Sequence, residues 1–309
     1  SSAGGPGDDA ATLPGAQTDV QGSGGRDAAP QPGSDLATPP LLQPLDDWCK
    51  IDDERFSFFV TSMDAIWKLS GSTPGDMSGG FGGNFGGIAG ADKICQTIGE
   101  ATGHGHKNWR ALLSATNDGN GNPVHAIERI GEGPWYDAND RQVATGRAGL
   151  LSGDRPNGDA QTINDLPDEC GVPITALGDA HDVITGSNKQ GRLNSTDLAT
   201  TCNDWTSSDS KLGGGGGSAP PPPPPLRPRS ALPPGGGGGG GRGGQVMCGH
   251  SFPRGMAGGP GGGRGGGHWL SDHGVPGCGK GALIVQGFGE GCIGCTGGYG
   301  ALYCFALTQ

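Results

Sequence analysis

The sequence predicts an α+β domain stapled by disulfides and broken by stretches that cannot build a core. Three observations carry this. Short segments alternate between strand and helix periodicity, and nine cysteines are scattered at irregular spacings. The 67 glycines and 25 prolines of the 309-residue chain are unevenly spread. A chain this rich in glycine and proline falls in the low-complexity range of composition, so only part of it can pack.

Each folded element has its own signal. In "RFSFFVT", residues 55–61, Phe56, Phe58 and Val60 fall on one face, the period of a strand. In "ADKICQTIGEA", residues 91–101, Ala91, Ile94, Cys95 and Ile98 recur at helical spacing. "NWRALLS", residues 108–114, alternates Trp109, Ala111 and Leu113 as a second strand. "GYGALYCFAL", residues 298–307, sets Tyr299, Ala301, Tyr303 and Phe305 on one face and Leu302, Cys304 and Ala306 on the other. That is the pattern of a single strand buried on both sides.

Two regions lack such patterns. Residues 1–47 contain no aromatic side chain, seven Asp and one Arg, and cannot offset their ordering entropy by apolar burial. They are expected to form an acidic tail. Residues 213–267 are a Gly/Pro/Arg-rich insert with a hexaproline, Pro220–Pro225, and a short island, "QVMCGHSFPRGM". The folded domain is therefore expected over 48–309, interrupted by 213–267.

Charge and cysteine usage narrow the class. A formal net charge of −11 argues against general nucleic-acid binding, which needs a basic footprint. No apolar run approaches the length of a membrane span. The small residues that open the chain, "SSAGG", fit the product of signal cleavage. The one C-x-x-C, Cys292 to Cys295, has no second pair to complete a zinc site. A disulfide framework in an oxidising compartment is the better reading, and the odd count leaves one thiol free or bridging two chains.

Taken in order, "FFVTS", "GGIAGADKICQ", "NWRALLS", "GSNKQGRLNSTDLATTCNDWTSS" and "YCFAL" resemble the C-type-lectin-like fold in its endostatin-like branch, as found in secreted bacterial proteins with this pattern. The resemblance covers Arg55 to Ser208 and Trp269 to Leu307. It implies a mixed fold with long irregular loops, a disulfide between Cys95 and Cys304, and a second between Cys202 and Cys295. It also gives the glycines between Gly79 and Gly87 a purpose: they let the connection pass tightly under the sheet, so that Cys95 meets the last strand.

The family's calcium-dependent sugar site does not carry over. The aligned loop reads Ser187-Asn188-Lys189-Gln190, with a cation where oxygen ligands are needed, and "IVQGFGEGCIGC" lacks the acidic pair before its cysteine. The acid clusters at 153–159 and 164–170 read as solvated loops. His104 and His106 lack a third ligand, and His250, His268 and His273, in and beside the insert, are assigned no metal role. No nucleophile motif or phosphate loop is present, so no enzyme and no cofactor are expected.

The expected function is a secreted structural or adhesive module at the cell surface or outside the cell. It assembles into homo-oligomers or filaments as the acidic tail (Asp8, Asp9) of one molecule docks on the basic insert (Arg227, Arg229, Arg242) of another. The alternative is a monomeric, calcium-independent glycan- or protein-binding module with Trp135 and Tyr136 as its platform. Asn194, in "NST", is a candidate glycosylation position.

Overall fold

The computed structural model describes residues 42–213, 245–253, 267–285 and 287–307. Its elements are few and short. In chain order they are β1 (Phe58–Val60), α1 (Met63–Leu69), α2 (Gly87–Ala101), β2 (Trp109–Ala111), β3 (Trp135–Tyr136), β4 (Gln142–Ala144), α3 (Arg147–Leu150), α4 (Ala160–Asn164) and β5 (Asp182–Ile184). After these come β6 (Val246–His250), β7 (His273–Val275), β8 (Gly279–Ala282), β9 (Cys292–Gly294), β10 (Gly298–Ala301) and β11 (Tyr303–Ala306). The mixed α+β class is as the periodicities predict.

The helix predicted over 91–101 starts four residues earlier, because Gly86, at φ 81°, turns the chain into it. Its inner face, with Ala91, Ile94, Cys95 and Ile98 buried, lies on β2. Gly99 completes the fit: a Cβ there would stand 2.3 Å from the Trp109 indole nitrogen. Asp92 fixes the helix to the same strand by accepting the Ala111 N–H, and it pairs with Arg129. Burial of each large apolar side chain contributes about 1.5–3 kcal/mol, so this one face outweighs its ordering cost only through tertiary packing.

β1, β11 and β2 form an antiparallel sheet in that order, with Cys304 on the central strand opposite Phe59 and Ala111. Cys95 and Cys304 are joined, tying α2 to the middle of this sheet. A second, four-stranded sheet has the order β10-β5-β6-β7.

The C-terminal segment predicted as one strand is two. Gly300, at φ 79°, bends the chain, and Leu302 exchanges hydrogen bonds with Thr61 instead of continuing a ladder. β10 thus serves the second sheet and β11 the first.

Three further expectations are corrected. Cys202 does not join Cys295. It joins Cys278, while Cys295 closes on Cys292 across a turn that brings them together locally. The glycines before α2 pass beneath the Cys202–Cys278 bridge rather than under the sheet: Gly83 donates its N–H to the Cys278 carbonyl, and a Cβ on it would lie 2.3 Å from the Cys202 sulfur. The boundaries also move. Leu42 and Leu45, assigned to the tail, pack on the core, and the island within 213–267 supplies β6, an inner strand of the second sheet. Its alternating Val246 and Cys248 are both buried, which is what an inner strand requires.

The fourth bridge joins Cys49 to Cys170, and Cys248 remains a buried thiol. Four disulfides fit folding in an oxidising, extracellular-type environment. Among the described residues no helix is long and apolar enough to cross a membrane.

Candidate metal centre

The second sheet gathers a set of side chains that the sequence keeps far apart. In β5 and β6, Asp182 lies directly opposite His250; in β6 and β7, Cys248 lies opposite His273. Directly opposed residues, and residues two apart on one strand, face the same side of a sheet. The register alone therefore puts Asp182, His250, Cys248 and His273 on one face. His181, just before β5, is turned toward them by Asp179, whose carboxylate accepts its Nδ1–H at 2.8 Å.

The result is a convergent cluster of His181, Asp182, His250 and His273, whose ligand atoms all lie within 4.8 Å of one another. Asp182 Oδ1 is at its centre, 3.1 Å from His181 Nε2, 3.1 Å from His273 Nε2 and 3.8 Å from His250 Nε2. Donor atoms bound to one zinc-like ion at 2.0–2.2 Å in a tetrahedron would stand about 3.3–3.6 Å apart. The three distances from Asp182 Oδ1 bracket that separation, and the widest pair, within 4.8 Å, would have to close on binding as the carboxylate oxygen moves from the centre to a corner of the set.

Hydrogen bonding alone does not explain the convergence. Asp182 Oδ1 is buried and no donor is aligned to hydrogen-bond it, whereas its partner oxygen accepts the Thr296 hydroxyl. A buried carboxylate oxygen with no aligned donor is costly, and without an ion the charge pairing with His273 Nε2 at 3.1 Å offsets part of that cost.

The surroundings hold the rings in place. His273 Nδ1 lies 3.3 Å from the Gly274 carbonyl, on the ring edge away from Asp182, whereas Asp272 Oδ2 lies 3.2 Å from His250 Nε2, on the same ring edge that faces Asp182. Arg155 grips the end of β6 by donating to the carbonyls of His250 and Ser251 at 2.6 and 2.7 Å. Gly267 resumes the chain against the His250 ring, where a Cβ would come within 1.9 Å of Nδ1. Such outer partners set ring orientation in metal sites. Asp182 and His250 are wholly buried, while the His181 and His273 side chains keep 12% and 21% exposure, so the centre opens to solvent on one side.

Electrostatics describe the cluster without an ion, in which Asp182 and His273 pair by charge; a bound ion would have to displace the proton on the ligating nitrogen of His273. Burial opposes charge on Asp182, but the imidazoles of His273, His181 and His250 hold its carboxyl well below the usual carboxylate range. Burial also opposes charge on His273, yet neighbouring Cys248 and Asp182 push it up to about 12. Burial, together with the Asp182 charge, pushes the Cys248 thiol up to about 12. Asp182 is the anion that the three imidazoles face.

Cys248, His273 and Asp182 also stand in the order of a nucleophile–base–acid triad, with Sγ 3.5 Å from His273 Nδ1. The thiol has no exposed surface and a raised pKa, the reverse of an activated nucleophile. The arrangement can hold an ion; it does not present sulfur to a substrate.

The positions singled out in the sequence lie elsewhere. Trp135 is wholly buried, edge-on to Phe305 at 5.1 Å, and Tyr136 is covered by Arg55, 4.7 Å above its ring. The expected Trp135–Tyr136 platform is therefore core and its rim, because β3 turns the indole inward. Asn194 is exposed. His104 is buried against Phe56, and His106 is exposed beside Glu54. The acids at 164–170 are not solvated loops: Glu169 is buried, accepting from Ser62 N, Ser62 Oγ and the Trp48 indole. Asp8, Asp9, Arg227, Arg229 and Arg242 lie outside the described residues.

In the sequence alone His250 and His273 read as parts of an insert and its flank, and His181-Asp182 carries no recognisable motif. The missed signal was strand alternation in "HDVIT" and "QVMCGH", which would have aligned the two segments as neighbours. Comparison with protein-family models and with curated proteins finds no match.

Proposed function

We propose that this chain is a secreted, C-type-lectin-like module whose folded head binds one divalent transition-metal ion of the zinc type through His181, Asp182, His250 and His273. The single observation that carries the reading is Asp182 Oδ1, buried without an aligned donor and faced by three imidazole nitrogens. Imidazole with one carboxylate suits zinc and its borderline neighbours rather than calcium or magnesium.

The ion's role is structural. Its ligands come from the start of β5, from β6 and from β7, so one ion would tie three strands of the second sheet together. In this reading the module serves extracellular structure or adhesion, with Asp8, Asp9, Arg227, Arg229 and Arg242 as its assembly residues, and it is not an enzyme. The glycan-binding alternative loses its main support with the burial of Trp135.

The test uses the full chain purified without added metal. Elemental analysis is expected to give one zinc-type ion per chain. A strong chelator should lower the melting temperature, and an ion at a hundredfold excess over its dissociation constant should restore about 2.7 kcal/mol. Asp182→Asn should bind no ion. Sub-stoichiometric metal together with a melting temperature that ignores chelator would overturn the proposal.

A further inference from the structure

We propose that Cys248 belongs to the metal centre and donates its sulfur to the bound ion, so that the site takes a thiophilic transition metal in a mixed nitrogen, oxygen and sulfur sphere. This inference rests on the metal reading above and extends it to a fifth donor.

Three observations support it. First, register places the thiol on the ligand face: Cys248 is opposite His273 and two residues from His250. Its sulfur lies 3.5 Å and 3.9 Å from the two ring nitrogens of His273. In a zinc-type site expanded to five donors, with metal–nitrogen bonds near 2.05 Å and a metal–sulfur bond near 2.3 Å, sulfur and a neighbouring nitrogen stand roughly 3.1–3.6 Å apart. Sulfur at 3.9 Å from Nε2 is within a few tenths of an ångström of that separation.

Second, eight of the nine cysteines form disulfides, and Cys248 alone is held as a thiol. A thiol kept reduced in an otherwise oxidised chain, beside a cluster of ligands, has a use for its sulfur. Third, and independently, Asp182 Oδ1 points into the same space, fully buried and without an aligned donor. The ordinary alternative is a small apolar filler, the usual fate of a buried cysteine. Filler would not require an imidazole on one side and a carboxylate on the other.

Binding is a simple exchange. The ion forms bonds to Sγ and to His273 Nε2, the S–H bond and the imidazolium Nε2–H bond break, and both protons leave to solvent through the open side near Asp272. Nothing is oxidised or reduced. A coordinating thiol is deprotonated by the ion itself, whatever its resting pKa.

Cobalt(II), with its visible ligand-field bands and its near-ultraviolet sulfur-to-metal charge-transfer band, is the probe. Because every other sulfur of cysteine is in a disulfide, a charge-transfer band can come only from Cys248. The full chain should show both sets of bands at one equivalent of cobalt. Cys248→Ser should keep the ligand-field bands, lose the charge-transfer band and bind cobalt at least tenfold more weakly. Cys248→Ala, which adds no hydroxyl to the core, should behave likewise and controls for folding. Ligand-field bands without charge transfer in the unmodified chain would overturn this proposal and leave the four-ligand centre standing. No cobalt bands at all would overturn both.

Discussion

Removing the Cys95–Cys304 bridge offers a quantitative check on what holds this loop-rich domain together. The bridge spans 209 residues, and Cys202–Cys278 lies inside that span and short-circuits 76 of them. The loop that remains is roughly 130 residues, and closing it is worth about 5 kcal/mol in the chain-entropy model. The nested bridge lowers that figure by only a few tenths, because the cost grows with the logarithm of length.

Cys292–Cys295 is the internal control. Its separation is 3, and the same model gives about 2 kcal/mol. The double variant Cys95→Ala/Cys304→Ala should therefore lose roughly 3 kcal/mol more than Cys292→Ala/Cys295→Ala in urea unfolding at fixed metal concentration. Equal losses for the two pairs would refute the argument that loop length sets the stabilisation. Both halves of the long bridge are wholly buried, so truncation to alanine introduces no polar atom to confuse the comparison.

Two further outcomes follow from individual side chains. Trp135→Ala should cost about 3–5 kcal/mol in thermal or urea unfolding, as for any large buried aromatic; a variant as stable as the parent would return Trp135 to the surface. Burial, with the Asp168 charge beside it, pushes Glu169 up to about 7. An acid raised in the folded state contributes stability below its unfolded pKa near 4.5 and loses it as pH climbs through the folded value. Relative to Glu169→Gln, which carries no titrating group, the parent should lose unfolding free energy between pH 5 and pH 8; a pH-independent difference would contradict the assignment.

What the sequence revealed depended on how local the cause was. The strand at Phe58–Val60, the face of α2 with Ile94, Cys95 and Ile98, and the strand at Trp109–Ala111 are each written in a few consecutive residues. The break at Leu302 was hidden because "GYGALYCFAL" alternates without interruption; only the partners of Thr61 and the bend at Gly300 divide it. Cysteine pairing was legible for Cys95 through a resemblance and illegible for Cys202, since Cys278 and Cys295 are both close enough in sequence to the final strands. The metal centre was least visible. Its four ligands span residues 181 to 273, and strand pairing rather than spacing brings them together.

The way the bridges overlap has a last consequence for durability. Cys95–Cys304 and Cys202–Cys278 both reach across residues 214–266, so a protease that severs the backbone anywhere in that interval releases no fragment. Cys49–Cys170 extends the same safeguard toward the N-terminus, because it overlaps the span that begins at Cys95. A nicked molecule would run as two pieces only after reduction, and until then would remain one covalent body able to stay in place where proteases circulate.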